Sequence, residues 1–250
     1  MTSPLAQALL LAAGRGERMR PLTDTTPKPL LAVRGKPLMQ WAMEGLQRGG
    51  VTEVLINTAW LGEQIPQRFG STLDTPGQTP LQLHYSHEGL DFGGALETAG
   101  GIARALPRLD EVFWVAAGDV FAPDFVFDPQ ALARFRASPQ LAHLWLVPNP
   151  PHNPGGDFGL SAQGLALNLP KGTAADPAPR YTFSTIALYK RAFFEADWCA
   201  LPPGNPQGVK AALAPMLRAA MDNHAVSASL YLWAWTDVGT PERLAELNKD

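Results

Sequence analysis

Apolar residues fall along this chain in short runs of strand length. Residues 6–12 (AQALLLA), 51–57 (VTEVLIN), 81–86 (LQLHYS), 112–117 (VFWVAA), 141–147 (LAHLWLV) and 229–236 (SLYLWAWT) are the clearest. Runs with little polar interruption read as strands covered on both faces, and the helix-like segments between them predict an α/β sheet with helices on either side. The first such helix begins near Pro37 and carries Leu38, Trp41, Ala42 and Leu46 on one face. Pro37 suits its first turn and Gly49-Gly50 its end. Around 148–180 the texture changes to Pro, Gly and Asn (PNPPHNPGG), then short alternating pieces, then KGTAADPAPR. That excursion, about 148–185, predicts hairpins and loops laid over the sheet as one wall of a binding pocket. No repeat of 20 to 50 residues and no linker-like segment breaks the chain, so residues 1–250 are expected to form one catalytic-size domain.

Composition narrows the classes. Hydrophobic residues make up 46% and charged residues 17%, a globular balance, and the net charge of −3 argues against a nucleic-acid surface. The single cysteine, Cys199, excludes a disulfide-stapled secreted fold, and Leu9–Ala13 is too short to span a membrane, so a soluble cytoplasmic protein is expected. Charge is nevertheless uneven: between Gly14 and Lys36 six positive residues (Arg15, Arg18, Arg20, Lys28, Arg34, Lys36) face two negative ones (Glu17, Asp24). A local excess of that sign suits a small anionic ligand.

The stretch LLLAAGRGERMRPLTDTTPKPL, residues 9–30, concentrates that charge just past the first apolar run. Gly14 and Gly16 allow a ligand to approach main-chain N–H groups, as at many phosphate sites, although Gly-x-Gly fits an ordinary tight turn equally well. No Gly-Lys-Ser/Thr follows, so this is not a P-loop. Lys28 stands between Pro27 and Pro29, which stiffen the backbone around it, and the guanidinium of Arg18 has the fork shape that grips phosphate oxygens. Each cation alone is also compatible with a solvated surface.

Gly14-x-Gly16-x-Arg18-Met19-x-Pro21-Leu22-Thr23 followed by Thr26-Pro27-Lys28-Pro29-Leu30 resembles the N-terminal motif of the sugar-phosphate nucleotidyltransferases. The similarity continues through Asn57-x-Ala59-Trp60-Leu61-Gly62, Leu96-Glu97-Thr98-x-Gly100-Gly101, Gly118-Asp119, Gly156-Asp157-Phe158 and Trp235-x-Asp237-Val238-Gly239-Thr240. Over nearly the whole chain it is similar to the short uridylyltransferases that act on N-acetylmuramate 1-phosphate in bacterial cell-wall recycling. The resemblance implies a Rossmann-like, mixed but mostly parallel sheet with helices on both faces, of the nucleotide-diphospho-sugar transferase type. It implies a nucleoside triphosphate, UTP foremost, and a sugar 1-phosphate as substrates, with pyrophosphate released.

Residue by residue, the resemblance implies that Ala12, Ala13, Gly14, Arg15, Gly16, Glu17, Arg18, Lys28, Glu97, Thr98 and Gly101 meet the nucleotide, with Arg18 and Lys28 catalytic. Asp157, Ser184, Thr185 and Lys210 are the candidates for the sugar side. Phe183-Ser184-Thr185 could equally be alternating strand, Lys210 an exposed helical lysine, and Thr98 a helix cap. Asp119 and Asp237 each end an apolar run, where ligands collect in open α/β sheets, and they match the family's metal-binding aspartates. Two hard carboxylates describe Mg²⁺ rather than zinc, although a lone aspartate in such a position is more often a turn or cap.

The reaction so implied, attack of one phosphate on another, requires no general base, because a phosphate monoester is already largely ionised above its second pKa of about 6. It requires charge neutralisation and in-line positioning. The chain departs from its relatives in extra residues at about Leu90–Ala95, in Ala117 where Asn is common, and in Pro148 where an acidic residue is common. Two other readings remain open at this level: guanylyl transfer to mannose 1-phosphate or another hexose 1-phosphate, and a silent regulatory domain that binds a nucleotide sugar.

Overall fold

The computed structural model describes residues 6–169 and 179–249, so residues 171–178 of the KGTAADPAPR loop lie outside the described residues. Nine strands and a short edge piece, Thr72–Leu73, build one ten-stranded sheet. In chain order the strands are β1 (Ala6–Ala12), β2 (Glu53–Thr58), β3 (Leu81–His87), β4 (Leu109–Ala117), β5 (Ala142–Val147), β6 (Phe158–Leu160), β7 (Ala166–Leu167), β8 (Arg180–Lys190) and β9 (Val226–Leu230). They lie in the order β7-β6-β8-β4-β1-β2-β3, with β5 also paired to β8 and β9 to β5. β1 is central and parallel to β2 and β4, with Leu9 opposite Leu55 on one side and Val115 on the other. β8 runs against β4 and β5, which makes the sheet mixed but mostly parallel, as expected.

Helices cover both faces: α1 (Leu38–Arg48), α2 (Gln64–Phe69) and α5 (Pro129–Ala137) on one, α4 (Glu97–Ala105) and α6 (Leu213–Asp222) on the other. The uninterrupted Leu9-Leu10-Leu11 serves both cores. Leu9 and Leu11 join the cluster under α4 and α6, while Leu10 joins Met39, Met43 and Leu46 of α1. Along α1, Leu38 and Leu46 are fully buried, whereas Trp41 and Ala42 sit half-buried at its edge; Met39 and Met43 complete the buried face. Pro37 precedes the helix and Gly50, at φ +83°, follows it. A third cluster joins the two ends of the chain. Met19, Leu31, Val33, Leu38 and Phe121 pack with Val238 and with Leu244 and Leu247 of α7 (Pro241–Leu247). Asn248 Oδ1 accepts the Arg34 N–H at 2.7 Å.

Two expectations are corrected. The strand drawn at 229–236 is Val226–Leu230, in which Val226 and Ala228 are buried; the more apolar Leu232 and Trp233 are about two-thirds exposed. Residues 180–185, expected to close the hairpin and loop excursion, instead open the longest strand of the sheet, Arg180–Lys190, and the small hairpin β6–β7 hangs from its start. β8 escapes an alternating pattern because its register against β5 slips between Phe183 and Ala187, where Thr185 takes φ +63°.

Candidate active site

The C-terminal ends of β1, β2 and β4 open onto a cavity of about 660 Å³, where ligands collect in such sheets. Leu11 to Gly14 line it from the β1 exit, Lys28 and Pro29 from the next turn, and Asn57 from β2. Ala117 ends β4 and Asp119 follows it, and Glu97 and Thr98 open α4. The remaining wall is largely apolar: Phe158 on β6, Phe183 and Tyr189 on β8, and Leu213 and Leu217 on α6, joined by Asp157, Thr185 and Arg218.

Lys28 is held stiffly. It opens a short turn, Lys28–Leu30, after an extended Pro27, and Leu31 N–H closes the turn on the Lys28 carbonyl at 3.1 Å. Its side chain is mostly buried and its Nζ lies 2.5 Å from Asp119 Oδ2. The glycine loop folds back against it: Gly16, at φ +67°, accepts the Thr23 hydroxyl at 2.8 Å, and a Cβ there would sit 3.2 Å from Lys28 Cβ. Glycine is therefore required at 16 both by conformation and by space.

A buried relay ties this loop to the start of α4. Asn57 Oδ1 accepts the Ala12 N–H at 2.7 Å, Asn57 Nδ2 donates to Glu88 Oε1 at 2.8 Å, and Glu88 Oε2 accepts the Leu96 N–H at 2.8 Å. Glu88, the first residue of the short helix α3 (Glu88–Phe92), is fully buried. Desolvation pushes its carboxyl pKa up, opposed by the hydrogen bonds from Leu96 and Asn57 and by the Arg104 charge. A Cβ at Gly101 would lie 2.7 Å from Glu88 Oε1, so that glycine makes room for the relay rather than for a ligand.

Asp119 and Asp237 meet through a two-rung antiparallel ladder in which Asp237 pairs with Val120 and Thr236 with Phe121. Val238 N–H donates to the Asp119 carbonyl at 3.0 Å, so the main chains of two aspartates 118 positions apart in sequence run side by side. Asp237 Oδ1 accepts Arg243 Nη1 at 2.5 Å and lies 2.9 Å from His152 Nε2. Arg18 reaches the same corner, its Nη2 lying 3.3 Å from where a Gly239 Cβ would stand. Among the described residues no three His, Cys, Asp or Glu side chains converge as a metal site. Of the two aspartates only Asp119 lines the cavity, paired with Lys28, whereas the Asp237 carboxylate is engaged by Arg243 and His152 outside that lining.

The nucleotidyl transferase family model matches residues 7–176, which include the loop, Lys28, the relay and Asp119. The chain belongs to the nucleotidyl transferase family. It is 44% identical over 246 residues to the N-acetylmuramate alpha-1-phosphate uridylyltransferase of Neisseria meningitidis serogroup B (strain MC58), covering 96% of each chain. A UTP–glucose-1-phosphate uridylyltransferase of Synechocystis is 36% identical over 127 residues, 45% of this chain and 30% of that one. The mannose-1-phosphate guanylyltransferase catalytic subunit beta of Drosophila pseudoobscura is 36% identical over 123 residues, 48% of this chain and 31% of that one. In fold, a Bacillus anthracis structure described as a glucose-1-phosphate thymidylyltransferase with sucrose superposes at TM-score 0.72 and 19% identity, covering 97% of this chain and 93% of that one. The chain is thus a sugar-1-phosphate nucleotidyltransferase with the nucleotide-diphospho-sugar transferase fold.

Within this family frame the expected site residues separate into groups. Ala12, Ala13, Gly14, Lys28, Glu97, Thr98, Asp119, Asp157 and Thr185 line the cavity. The Ala12 N–H, however, is committed to Asn57, and Leu96 rather than Thr98 stands at the cap position of α4. Glu97 takes φ +60°, so this wall begins with a strained residue, as does Thr185 opposite in sequence. Arg15 is drawn away, its guanidinium 3.3 Å above the Trp60 ring and its Nη1 on the Thr23 carbonyl at 3.2 Å. Glu17 and Arg18 are exposed beyond the cavity lining.

Two sugar-side candidates are corrected. Ser184 is fully buried, donating to the Trp145 carbonyl at 2.7 Å and accepting the Ile186 N–H at 3.1 Å, so it braces the β8 bulge. Lys210 is exposed and does not line the cavity. Sequence reasoning missed Asn57 as a cavity residue, Glu88 behind it, His152 and Arg243 beside Asp237, and Arg218 on α6. Only Asn57 had a signal, its place in the Asn57-x-Ala59-Trp60 motif.

Proposed function

We propose that this enzyme transfers a uridylyl group from UTP to N-acetylmuramate 1-phosphate, releasing pyrophosphate, in the cytoplasmic recycling of cell-wall sugar. The observation that carries the reading is the end-to-end similarity to the Neisseria uridylyltransferase; the glucose and mannose relatives share less than half of this chain. The cavity wall favours the same choice. Ala117, Phe158, Phe183 and Leu217 offer few hydrogen bonds to a bare hexose but suit acetamido and lactyl methyl groups.

In this reading Asp119 and Asp237, hard oxygen donors carried on paired segments, are the residues that would hold a Mg²⁺ ion, with phosphate and water as its other ligands. When bound there, the ion would neutralise phosphate charge as a Lewis acid. Lys28 then contributes a mostly buried ammonium aimed at the same carboxylate, placed where negative charge accumulates, and the turn around it spares any reorganisation during reaction. In this reading the N–H groups of Ala13 and Gly14, unpaired among the described residues, and the guanidinium of Arg18 outside the cavity lining are the donors for the triphosphate, and Thr98 with Glu97 faces the nucleoside. Asp157, whose carboxylate is fixed by the Phe183 N–H at 2.9 Å and Asn153 at 3.1 Å, retains lone pairs for sugar hydroxyls.

The test is pyrophosphate release by the purified protein across UTP, GTP, CTP and dTTP, each with the 1-phosphates of N-acetylmuramate, N-acetylglucosamine, glucose and mannose. The pair UTP with N-acetylmuramate 1-phosphate should exceed every other at least about tenfold, and chelation of divalent cations should stop it. Preference for GTP with mannose 1-phosphate would replace this reading with the guanylyl one.

A further inference from the structure

Two cations line the cavity, and only one of them is committed. Lys28 is paired with Asp119, whereas Arg218 has no carboxylate partner among the described residues. Its Nη1 donates to Asn168 Oδ1 at 2.8 Å, Asn168 in turn donates to both oxygens of Asp222 at 3.1 Å, and the guanidinium stands 5.1 Å over the Phe158 ring. Toward Asp157 it reaches the main-chain oxygen, at 3.4 Å, not the carboxylate, which is held by Asn153 and Phe183. The side chain is therefore held in place through neutral contacts, and among the described residues no carboxylate pairs with its charge on this largely apolar wall. Tyr189, on the same wall, carries a fully buried hydroxyl with no partner among the described residues. A guanidinium in such surroundings selects for a planar anion, because its fork matches a carboxylate and low polarity strengthens the pairing.

We propose that Arg218 is a specificity residue that binds a carboxylate carried by the acceptor sugar, the lactyl group that distinguishes N-acetylmuramate 1-phosphate from N-acetylglucosamine 1-phosphate. The proposal rests on the functional reading above and assigns a residue to the one anionic group of the acceptor that the reaction itself does not consume. It accounts for an arginine here without an acidic partner, in a cavity that already has Lys28 near the reacting phosphates.

The experiment compares wild type, R218Q and R218K on three acceptors with saturating UTP and Mg²⁺: N-acetylmuramate 1-phosphate, its lactyl amide, and N-acetylglucosamine 1-phosphate. R218Q should raise KM for N-acetylmuramate 1-phosphate about 30-fold, the scale of a lost charge-assisted hydrogen bond, with a smaller change in kcat. Wild type should show a similar penalty for the lactyl amide, and R218Q should add little to it. R218K should recover part of the loss, and KM for N-acetylglucosamine 1-phosphate should move by less than about threefold. A structural arginine would instead raise KM for all three acceptors together, and that result, or additive penalties for R218Q and the amide, overturns the assignment. The amide measurement on wild type needs no variant, so a poorly folded R218Q leaves the test standing. A wild type that turns over glucose or mannose 1-phosphate but not N-acetylmuramate 1-phosphate overturns the functional reading itself, a result distinct from normal turnover that ignores Arg218.

Discussion

Truncating Glu88 to alanine would leave the Asn57 Nδ2 group and the Leu96 N–H without acceptors in a site closed to water. Each stranded donor costs roughly 1–3 kcal/mol, and relief from burying the carboxylate returns part of that, so a net loss of about 2–4 kcal/mol is expected. For a chain of this size that is roughly 5–15 °C in Tm. E88Q is the sharper variant. Two donors face the carboxylate, but an amide can accept on one side only, and Asn57 cannot turn over to help without giving up the Ala12 N–H. E88Q should therefore lose about 1–3 kcal/mol although it is nearly isosteric. Because the relay fixes both Ala12 and the start of α4, each variant should also raise KM for the triphosphate. Urea unfolding followed by fluorescence of the seven tryptophans, together with initial rates at varied UTP, measures both effects. An E88Q enzyme within about 0.5 kcal/mol of wild type and with unchanged KM would refute the relay.

K28A and D119A should each lower kcat by roughly 10²–10³ while shifting Tm by only a few degrees, as read from pyrophosphate release and thermal melts. His143 sits against Trp145 with its Nδ1 2.8 Å from Ser227 Oγ, and burial pulls its pKa from 6.5 down to about 4. The folded state thus holds the neutral ring, and its stabilisation is complete above about pH 6.5 and lost as pH falls toward about 4. At about 1.4 kcal/mol per pH unit it amounts to at most about 3.5 kcal/mol; H143F should flatten urea midpoints across that window. T185N should raise Tm by about 2–4 °C, since asparagine tolerates the φ of +63° better than a β-branched residue, while lowering turnover; an unchanged Tm would deny strain at the bulge.

The parts of the fold legible in the sequence were those where one physical requirement dominates. Leu9–Ala13 must be buried on both faces, Gly14 and Gly16 must turn, and the paired prolines stiffen Lys28, so β1 and its loop could be placed without coordinates. Asp119 stands just past β4 as its apolar run implies, but Asp237 lies within the short strand Thr236–Asp237 rather than at the exit of a 229–236 strand, and the Val120–Asp237 pairing that brings the two segments together is announced by no local pattern. In the 229–236 run hydrophobicity does not track burial: Leu232 and Trp233 are exposed, while the small residues of AVSASL make the strand. β8 was hidden by its bulge. Glu88 lies in SHEGLD, a stretch that reads as surface, and becomes a buried acceptor only when β2 and α4 close around it.

That ladder has a consequence for the order of synthesis. Residues 6–121 contain the glycine loop, Lys28 and Asp119, yet Asp237 is synthesised more than a hundred residues later, and its segment adjoins the cluster in which Leu244 and Leu247 of α7 pack with Met19 and Phe121. A nascent chain that has emerged only as far as Phe121 would therefore hold Lys28 and Asp119 without the segment that carries Asp237, and this corner would close only once α7 is free to seat itself.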